Sequence, residues 1–387
     1  ALEKYGDDPC LEFMPKLLKD TKLDEKTLQL TAKMHKAISI IQFKEEARIF
    51  HRRPEWMMED RCLLESVDAK RQVCTINGMD YEMTDCHFPT VFPDSQSTPT
   101  YDLTPEESDL MKKLHHSFRV SEKLRKHIRT ILSHGCMYTI CNQNLLFHAS
   151  VPLNENGTLK QVSILDKSYQ GKELMSYIGQ LVRSAFESDT EPELKAFARD
   201  YFLYLWCGKD SPLFDKSKMA TFERYFLTDK ETYKEEKGAY FRLRDDADVC
   251  DRILDAFGVS GQNRHIINGH VPVHASKGEN PIKAGGRLMV IDGGFSEDYH
   301  NETGIAGYTL VYHSRGFELV QHEPFTSTKD AILRGTDIKS TTQIVEMSAH
   351  RMLVADTDKG KELREQVNDL RQLLKAYRHG FIKEKRS

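Results

Sequence analysis

Hydrophobic residues in the first part of the chain recur with the spacing of an α-helix. Apolar side chains such as Leu28, Met34 and Ile38 fall roughly on one helical face, so residues 1–70 are predicted to be mainly helical. The pattern then changes, and residues 87–100 contain prolines and serines typical of an extended loop.

Turn and capping signals complete the prediction for the N-terminal region. Alternating residues around Asn77-Gly78 predict a β-hairpin, because this dipeptide favours the tight turn that joins two antiparallel strands. Thr104, followed by a proline and two glutamates, predicts the start of a helix that ends at Gly135. Residues 1–135 are therefore expected to form a mainly helical region with a small hairpin.

Short apolar runs characterise the middle of the chain. MYTIC and NLLFHA predict two strands separated by Asn142-Gln143, and HIING, RLMVIDGG, GIAGYTLVYHS and FELVQHEPF predict further strands. Residues 171–206 have the pattern of two helices, and DADVCDRILDAFG predicts another helix that stops at Gly258. This mixture predicts an α/β fold for residues 136–325.

The C-terminal region, residues 326–387, is expected to be a helical tail. It ends in a long charged segment whose apolar residues form a seam along one side of the predicted helix. This helix is expected to pack on the rest of the protein or on another subunit. The residues of the seam are Leu363, Val367, Leu370, Leu373 and Leu374.

Two histidines occupy equivalent positions at the ends of predicted strands. His148 in LLFHASVP and His270 in IINGHVPV each follow an apolar run and precede a turn with proline. Ligands of open α/β sheets bind beyond the carboxyl ends of the strands, where neutral imidazole can bind a metal ion. Gly269 would allow the backbone to pass close to such a ligand. The pattern alone leaves open whether these histidines are ligands or packed, half-buried side chains.

Basic residues in two loops are candidates for binding phosphate. Glycines in KGENPIKAGGR allow backbone N–H groups to turn towards an anion, and lysine supplies a positive charge. The alternative is that these are ordinary solvated loops. This interpretation suits Lys216 and Lys218, which lie in the second loop, residues 209–224. The candidates are Lys277, Lys283 and Arg287 in the loop of residues 277–287, and Lys209 and Arg224 in the loop of residues 209–224.

Composition excludes several classes of protein. The 387 residues are 39% hydrophobic and 29% charged, with a net charge of −4, so the sequence predicts a packed core and no broad basic surface for nucleic acid. No apolar run approaches the length of a membrane helix, and the N-terminus does not resemble a signal peptide. The eight cysteines include no CxxC motif, which argues against a zinc ribbon and favours reduced thiols in the cytoplasm.

Several long motifs identify a family resemblance. YLWCGKDSPLFDKSKMATFERYF, LLFHASVPLNENG and INGHVPVHASKGENPIKAGGRLMVIDGGFSEDY closely resemble segments of the class III fructose-1,6-bisphosphatases of bacteria, which belong to the calcineurin-like metallophosphoesterases. The resemblance covers almost the whole chain. It implies an α/β/β/α sandwich and a two-metal site, usually filled by manganese, that hydrolyses the 1-phosphate of fructose 1,6-bisphosphate in gluconeogenesis. In this family pattern His148 and His270 would bind the same metal ion.

The chain lacks three other motifs of that superfamily. No Gly-Asp-x-x-Asp-Arg-Gly or Gly-Asn-His occurs, and the formal Asp-x-His at Asp85-Cys86-His87 is followed by a proline-rich loop. The resemblance therefore implies that this is the C-terminal portion of a longer enzyme, and the catalytic residues are expected upstream of it. Two histidines without carboxylate ligands would bind metal weakly, so little or no turnover is expected from this chain alone.

Two other functions remain open at this stage. The missing ligands would also suit a non-catalytic regulatory or assembly subunit derived from a phosphatase. A phosphatase of the same superfamily that acts on another phosphorylated substrate is the second alternative. The expected partners are a sugar bisphosphate and either further copies of the chain or the missing N-terminal part, with no nucleic acid and no membrane.

Overall fold

A computed structural model describes residues 2–17, 22–93, 99–294, 296, 299, 302–323, 327–334 and 340–383. Part of the predicted loop, residues 94–98, and the predicted boundary at 325–326 lie outside the described residues. The described part combines helices with several β-sheets, so the prediction of an α/β protein is confirmed at that level.

The helices and strands are numbered here in chain order. The helices are α1 (Glu25–Arg52), α2 (Pro105–Val120), α3 (Glu122–His134), α4 (Gly171–Ser184), α5 (Pro192–Cys207), α6 (Thr221–Phe226), α7 (Ala239–Leu243), α8 (Ala247–Ala256), α9 (Thr328–Arg334) and α10 (Asp358–Arg378). The strands are β1 (Val67–Asp68), β2 (Val73–Ile76), β3 (Met79–Glu82), β4 (Tyr138–Cys141), β5 (Asn144–Phe147), β6 (Val162–Ile164), β7 (Lys167–Tyr169), β8 (His265–Asn268), β9 (Ile282–Lys283), β10 (Leu288–Val290), β11 (Gly307–His313), β12 (Gly316–His322) and β13 (Ser340–Met347).

The chain divides into two compact units. The first comprises Ala1–Cys136 and Tyr177–Gly238, and the second comprises Met137–Ser176 and Ala239–Ser387. The boundary at residues 136–137 lies next to the predicted one. Each unit is built from two separate segments of chain, and the three functional regions expected from the sequence stay a prediction.

The first unit is organised around helix α1. Asp24 caps its N-terminus by accepting a hydrogen bond from the backbone N–H three residues later. The buried face of the helix contributes Ile40 and Phe43 to a core that also contains Cys74 of β2 and Phe226 of α6. The sequence thus predicted helix α1 but only part of its buried face, because Met34 and Ile38 are 54% and 40% exposed whereas Ile40 is buried.

The turn signals in the first unit also gave correct predictions, with one difference. Asn77 and Gly78 have positive φ angles and join β2 to β3 as a hairpin. Thr104 and Glu107 form a reciprocal capping box at the start of α2. The single helix predicted to run on to Gly135 is instead two helices, because Ser121 leaves the helical conformation and caps α3.

Two buried lysines of α1 have carboxylate partners in the first unit. Lys36 and Lys44 are both fully buried. Lys36 contacts Asp8 at 2.5 Å and also Asp85, whereas the Lys44 ammonium donates to Glu107 at 3.0 Å. Burial lowers the pKa of Lys44, and the ion pair with Glu107 opposes that effect. These partners make burial of the two charges tolerable.

A mixed five-stranded sheet forms the centre of the second unit. Its strand order is β4-β5-β8-β10-β9. Strands β5, β8 and β10 are parallel neighbours, and the short strands β4 and β9 are antiparallel edges. The three parallel strands therefore end at the same edge of the sheet, which is where ligands of such sheets bind.

Different layers cover the two faces of this sheet. On one face Ile266 and Leu288 belong to a core cluster that includes Ile253 of helix α8. On the other face Ile267 and Met289 pack with Phe317 of β12. Because alternate residues of a strand point to opposite faces, the near-continuous apolar runs of β8 and β10 are explained by burial on both sides.

Strands β11, β12 and β13 form the antiparallel sheet that packs on this second face. A polar contact also joins the two sheets, because Nε2 of buried His265 in β8 lies 2.7 Å from Oε2 of Glu346 in β13. The other ring nitrogen of His265 lies 3.0 Å from Oδ1 of Asn144. Burial lowers the pKa of His265, and the contact with Glu346 opposes the shift.

The predicted helical tail contains a strand as well as a long helix. Strand β13, which is mostly polar and exposed, completes the antiparallel sheet, whereas α10 spans Asp358–Arg378. The apolar seam of α10 is exposed, with relative exposures of 42% at Leu363 and 64% at Leu370. The sequence prediction located α10 but missed β13.

The Lys44–Glu107 pair gives a test of the packing in the first unit. We expect Lys44→Met to lower the free energy of unfolding by about 3 kcal/mol or more, because removing one partner leaves a buried carboxylate without its counter-ion. Lys113→Met is the matched control, since Lys113 forms an ion pair with Asp109 that is largely exposed, and its effect should stay below about 0.5 kcal/mol. Urea unfolding followed by circular dichroism measures both, and equal effects would contradict the importance of the buried pair.

Candidate functional site

The pairing of β5 with β8 brings the two predicted histidines to one edge of the sheet. The strands are parallel, with Leu146 opposite Ile267. His148 follows the carboxyl end of β5, and His270 follows the carboxyl end of β8 after one glycine. Although 122 positions separate them in sequence, the two imidazoles meet because adjacent parallel strands end side by side.

The two imidazole rings lie in direct contact. Nε2 of His148 is 3.1 Å from Nδ1 of His270, and the ring centroids are 4.9 Å apart with an interplanar angle of 69°. His148 is exposed and His270 is half-buried. One neutral ring can donate a hydrogen bond to the other at this distance, or both nitrogens can direct their lone pairs at a shared cation.

Backbone and amide contacts hold the two strand ends together. The Gly269 N–H donates to the carbonyl of His148 at 2.9 Å. The buried amide of Asn268 donates to the carbonyl of Ala149 at 2.8 Å and to the hydroxyl of Tyr240 at 2.9 Å. The first two bonds join one histidine segment to the other, and the third joins the end of β8 to helix α7.

His270 has an unusual backbone conformation. Its φ angle is +72°, in the left-handed region that non-glycine residues rarely occupy. Such a conformation is unfavourable and persists only where the surrounding structure enforces it. The backbone on both sides of His270 is hydrogen-bonded, from the Gly269 N–H to the His148 carbonyl and from the Val271 N–H to the Gly269 carbonyl, both at 2.9 Å.

The spacing of the two rings is compatible with a shared metal ion. When two imidazole nitrogens bind one zinc ion at about 2.0–2.1 Å with tetrahedral geometry, the nitrogens lie roughly 3.3 Å apart. The observed separation is 3.1 Å. Within the described residues, however, no group of three or more His, Cys, Asp or Glu side chains is arranged to hold a metal ion. The pair by itself therefore supplies only part of a coordination sphere.

Asp292 occupies the same sheet edge and was not singled out from the sequence. It follows β10, the third parallel strand, and its carboxylate accepts a hydrogen bond from the Gly294 N–H at 3.0 Å. Its carbonyl accepts from the Val273 N–H at 2.8 Å, and a Cβ added at Gly269 would lie 3.5 Å from the Asp292 Cβ. The sequence VIDGG could have identified Asp292 as a candidate, because it is an apolar strand followed by a polar residue and glycine.

The three predicted basic residues near His270 have different environments. Lys277 is exposed. Lys283, whose side chain is only 11% exposed, contacts Glu279 at 3.2 Å and Asp245 at 4.0 Å. Arg287 contacts Asp251 at 3.3 Å and donates to the carbonyl of residue 262. Of the three, Lys283 and Arg287 thus have carboxylate partners within the second unit.

Glu279 is held as a carboxylate in this loop. Burial raises its pKa, but hydrogen bonds from the His274 N–H and from Lys283 outweigh burial and hold the pKa below its usual value. Arg244 lies 3.6 Å from the same carboxylate. The loop between His270 and β9 is therefore fixed by an ionised side chain.

The remaining two basic candidates belong to the first unit. Lys209 is exposed just after α5. Arg224 donates to the Tyr233 carbonyl at 3.2 Å, lies 3.7 Å from Glu235 and stacks over the Tyr233 ring. These contacts show that Arg224 has a structural environment of its own, whereas the histidine pair lies in the second unit.

The formal Asp-x-His of the first unit has a structural role. Asp85 contacts buried Lys36, and His87 lies 2.9 Å from Asp8, the other carboxylate partner of that lysine. Burial raises the pKa of Asp8, but hydrogen bonds from Lys36 and His87 outweigh it and lower the pKa to about 2. In this structure the segment thus stabilises the buried charge of Lys36.

Comparison with known proteins assigns the chain to a family. Residues 1–379 match the family described as Firmicute fructose-1,6-bisphosphatase, and the chain therefore belongs to it. Proteins named class 3 fructose-1,6-bisphosphatase from Phocaeicola vulgatus and Parabacteroides distasonis are 61% and 59% identical to it over its full length. A protein of the same name from Clostridium botulinum is 48% identical over 99% of the chain.

The relatives are longer than this sequence. The chain spans 58% of the Phocaeicola vulgatus protein and 57% of the Parabacteroides distasonis protein. No solved structure matches it. Among the described residues, no helix combines the length and apolar character needed to cross a bilayer.

The role of Asn268 in holding the histidine edge can be tested. We expect Asn268→Ala to lower the free energy of unfolding by about 1–3 kcal/mol, since the buried carbonyl of Ala149 loses its side-chain donor. The imidazole NMR signals of His148 and His270 should broaden as the strand ends loosen. Asn368→Ala on the exposed surface of α10 is the control, and an equally small effect at both sites would show that Asn268 does not position the edge.

Proposed function

We propose that the complete protein hydrolyses the 1-phosphate of fructose 1,6-bisphosphate to give fructose 6-phosphate and phosphate, the gluconeogenic reaction, in the bacterial cytoplasm. Family membership and the names of relatives 48–61% identical to the chain support this reaction. The observation in the structure that carries the proposal is the contact of two imidazoles at the ends of adjacent parallel strands. This is a position where an α/β fold presents ligands to a bound ion or substrate.

In this proposal His148 and His270 bind one metal ion of a two-metal centre, with manganese as the expected metal. When bound, the metals supply positive charge that stabilises the phosphoryl group and lower the pKa of a bound water. Imidazole is a suitable ligand for manganese, but hard divalent ions also require carboxylate oxygens. The proposal assigns those further ligands, together with the catalytic acid, to the part of the relatives that this chain does not span.

The proposed fold is that of the calcineurin-like metallophosphoesterases, an α/β/β/α sandwich. The layers of the second unit support it, because α8 covers one face of the five-stranded sheet and β11–β13 cover the other. The parallel strands β5, β8 and β10 end on one edge and present the histidine pair there. A sandwich of this kind would position metal ligands by backbone geometry alone.

Basic side chains are proposed to bind the phosphates of the substrate. Lys277 is the first candidate, since it is exposed on the loop that follows His270. Lys283 is the second, although its contacts with Glu279 and Asp245 already offset much of its charge. Arg287, Lys209 and Arg224 remain further candidates. Lysine suits this role because a phosphate needs positive charge more than directional contacts.

Metal binding by the histidine pair can be measured on this chain. We expect weak Mn²⁺ binding, detected as loss of the free-ion EPR signal during titration, because only two ligands are present. His148→Ala or His270→Ala should weaken it about tenfold or more, as even mutations outside the ligand shell cost that much at metal sites. His350→Ala, an exposed histidine of the same unit, is the matched control. Unchanged binding in both histidine variants would contradict the assignment.

Phosphate release tests the reaction itself. With fructose 1,6-bisphosphate and Mn²⁺ we expect little or no phosphate release from this chain, whereas the longer Phocaeicola vulgatus relative should release it rapidly. Brisk release by this chain would contradict the idea that essential ligands lie elsewhere. Absence of release by the longer relative under the same conditions would contradict the proposed substrate.

A further inference from the structure

A polar cavity lies in the second unit. Its volume is about 310 Å³, within the range of about 300–1,000 Å³ typical of small-molecule sites. The lining residues include neither His148 nor His270. Its polar side chains come from the loop before β9 and from the three-stranded sheet, namely Glu279, Asn280, Tyr308, Gln321, Thr341 and Gln343.

Strand register explains why these side chains converge. Tyr308, Gln321 and Thr341 lie opposite one another across β11, β12 and β13. Leu319 and Gln343 form a second cross-strand pair, two residues away on the same face. The first row thus supplies a phenol, an amide and a hydroxyl, and the second row supplies an amide beside the apolar side chain of Leu319.

Tyr308 is the most informative residue of this cavity. It is only 4% exposed, and its ring belongs to the hydrophobic core of the second unit. No described residue hydrogen-bonds its hydroxyl, which is not enclosed by the protein but opens into the cavity, where the half-buried amide of Gln321 and the exposed amide of Gln343 also lie. A phenol whose ring is buried and whose hydroxyl opens into a cavity is available to donate a hydrogen bond to, or accept one from, a ligand there.

The charge of the cavity limits what that ligand can be. The lining contains no Lys, Arg or His among the described residues, and its one ionised group is the carboxylate of Glu279. A carboxylate repels a phosphate, so an anion is disfavoured. Lys283 and Arg244 already compensate Glu279, so a cation is not strongly favoured either. An uncharged ligand fits best.

The chemistry of the lining specifies the ligand further. Amides and hydroxyls both donate and accept hydrogen bonds, whereas a carboxylate only accepts. Neighbouring hydroxyls of a sugar or another polyol also donate and accept, and therefore complement such a lining. We propose that this cavity binds an uncharged, polyhydroxylated group of the size of a monosaccharide, with Tyr308, Gln321 and Gln343 as its hydrogen-bonding partners.

That group could be a free sugar or the sugar portion of a phosphorylated molecule. The proposal does not rest on the proposed phosphatase reaction, because the cavity can be tested with EDTA present and therefore without a metal ion. Failure of the phosphatase assay would leave this test unaffected, and the two proposals can fail separately.

Saturation-transfer NMR on the full chain provides the test, with D-fructose and myo-inositol as uncharged probes and fructose 6-phosphate as the phosphorylated arm. We expect saturable binding of D-fructose, lost or weakened about tenfold in Tyr308→Phe and in Gln321→Leu, since a site built to hydrogen-bond a hydroxyl discriminates strongly when one partner is missing. Tyr312→Phe is the matched control, because Tyr312 lies on the same strand but its hydroxyl contacts Met352 instead.

Each outcome of this experiment either supports or overturns the proposed binding of a polyhydroxylated group. Equal binding of D-fructose and fructose 6-phosphate identifies the sugar hydroxyls as the recognised group in either source. Binding of fructose 6-phosphate without binding of either uncharged probe would overturn the proposal, as would D-fructose binding that survives both cavity substitutions. Loss of binding in Tyr312→Phe as well would show a general effect on β11, and circular dichroism of all variants excludes a failure to fold.

Discussion

The parallel pairing of β5 with β8 is the constraint on which the candidate site depends. It brings together two side chains 122 positions apart and fixes their ring nitrogens 3.1 Å from each other. The pairing is itself maintained by burial on both faces of the sheet, with α8 on one side and β12 on the other. Packing of apolar strand residues thus determines the geometry of the polar groups at the strand ends.

The two units use buried charge in different ways. In the first unit, Lys36 and Lys44 are fully buried and their ammonium groups have carboxylate partners, so the ionic contacts serve the packing of α1. In the second unit, the carboxylate of Glu279 joins Lys283 to the loop after His270. A basic residue near a candidate site is therefore informative about phosphate only after its own partners are known, and Lys277 and Lys283 differ in this respect.

Local sequence patterns predicted most elements of the fold. The hairpin at Asn77-Gly78, the capped start of α2 and the strand at LLFHA depend on turn chemistry and apolar periodicity, which act over a few residues. The break between α2 and α3 was missed because Ser121 reads equally well as a helical residue or as a cap. Strand β13 was missed because its exposed, mostly polar residues become a strand through pairing with β12.

The site was predictable to a more limited extent. Two equivalent strand ends indicated His148 and His270, but only the sheet order shows that these ends are neighbours. Asp292 follows the same pattern on β10. It could have been found by searching every predicted strand, not only two, for a polar residue just beyond its carboxyl end. The contact of Lys283 with Glu279, four residues away, was within reach of the sequence, but the contacts with Asp245 and of Arg287 with Asp251 were not, because those partners are distant in sequence.

The left-handed backbone of His270 has an energetic consequence for any ligand at this edge. The unfavourable torsion is already imposed by the folded sheet, so its cost falls on folding rather than on association. A ligand that contacts this imidazole would meet a ring whose orientation is preset, and its affinity would not be reduced by the entropy of ordering a flexible loop.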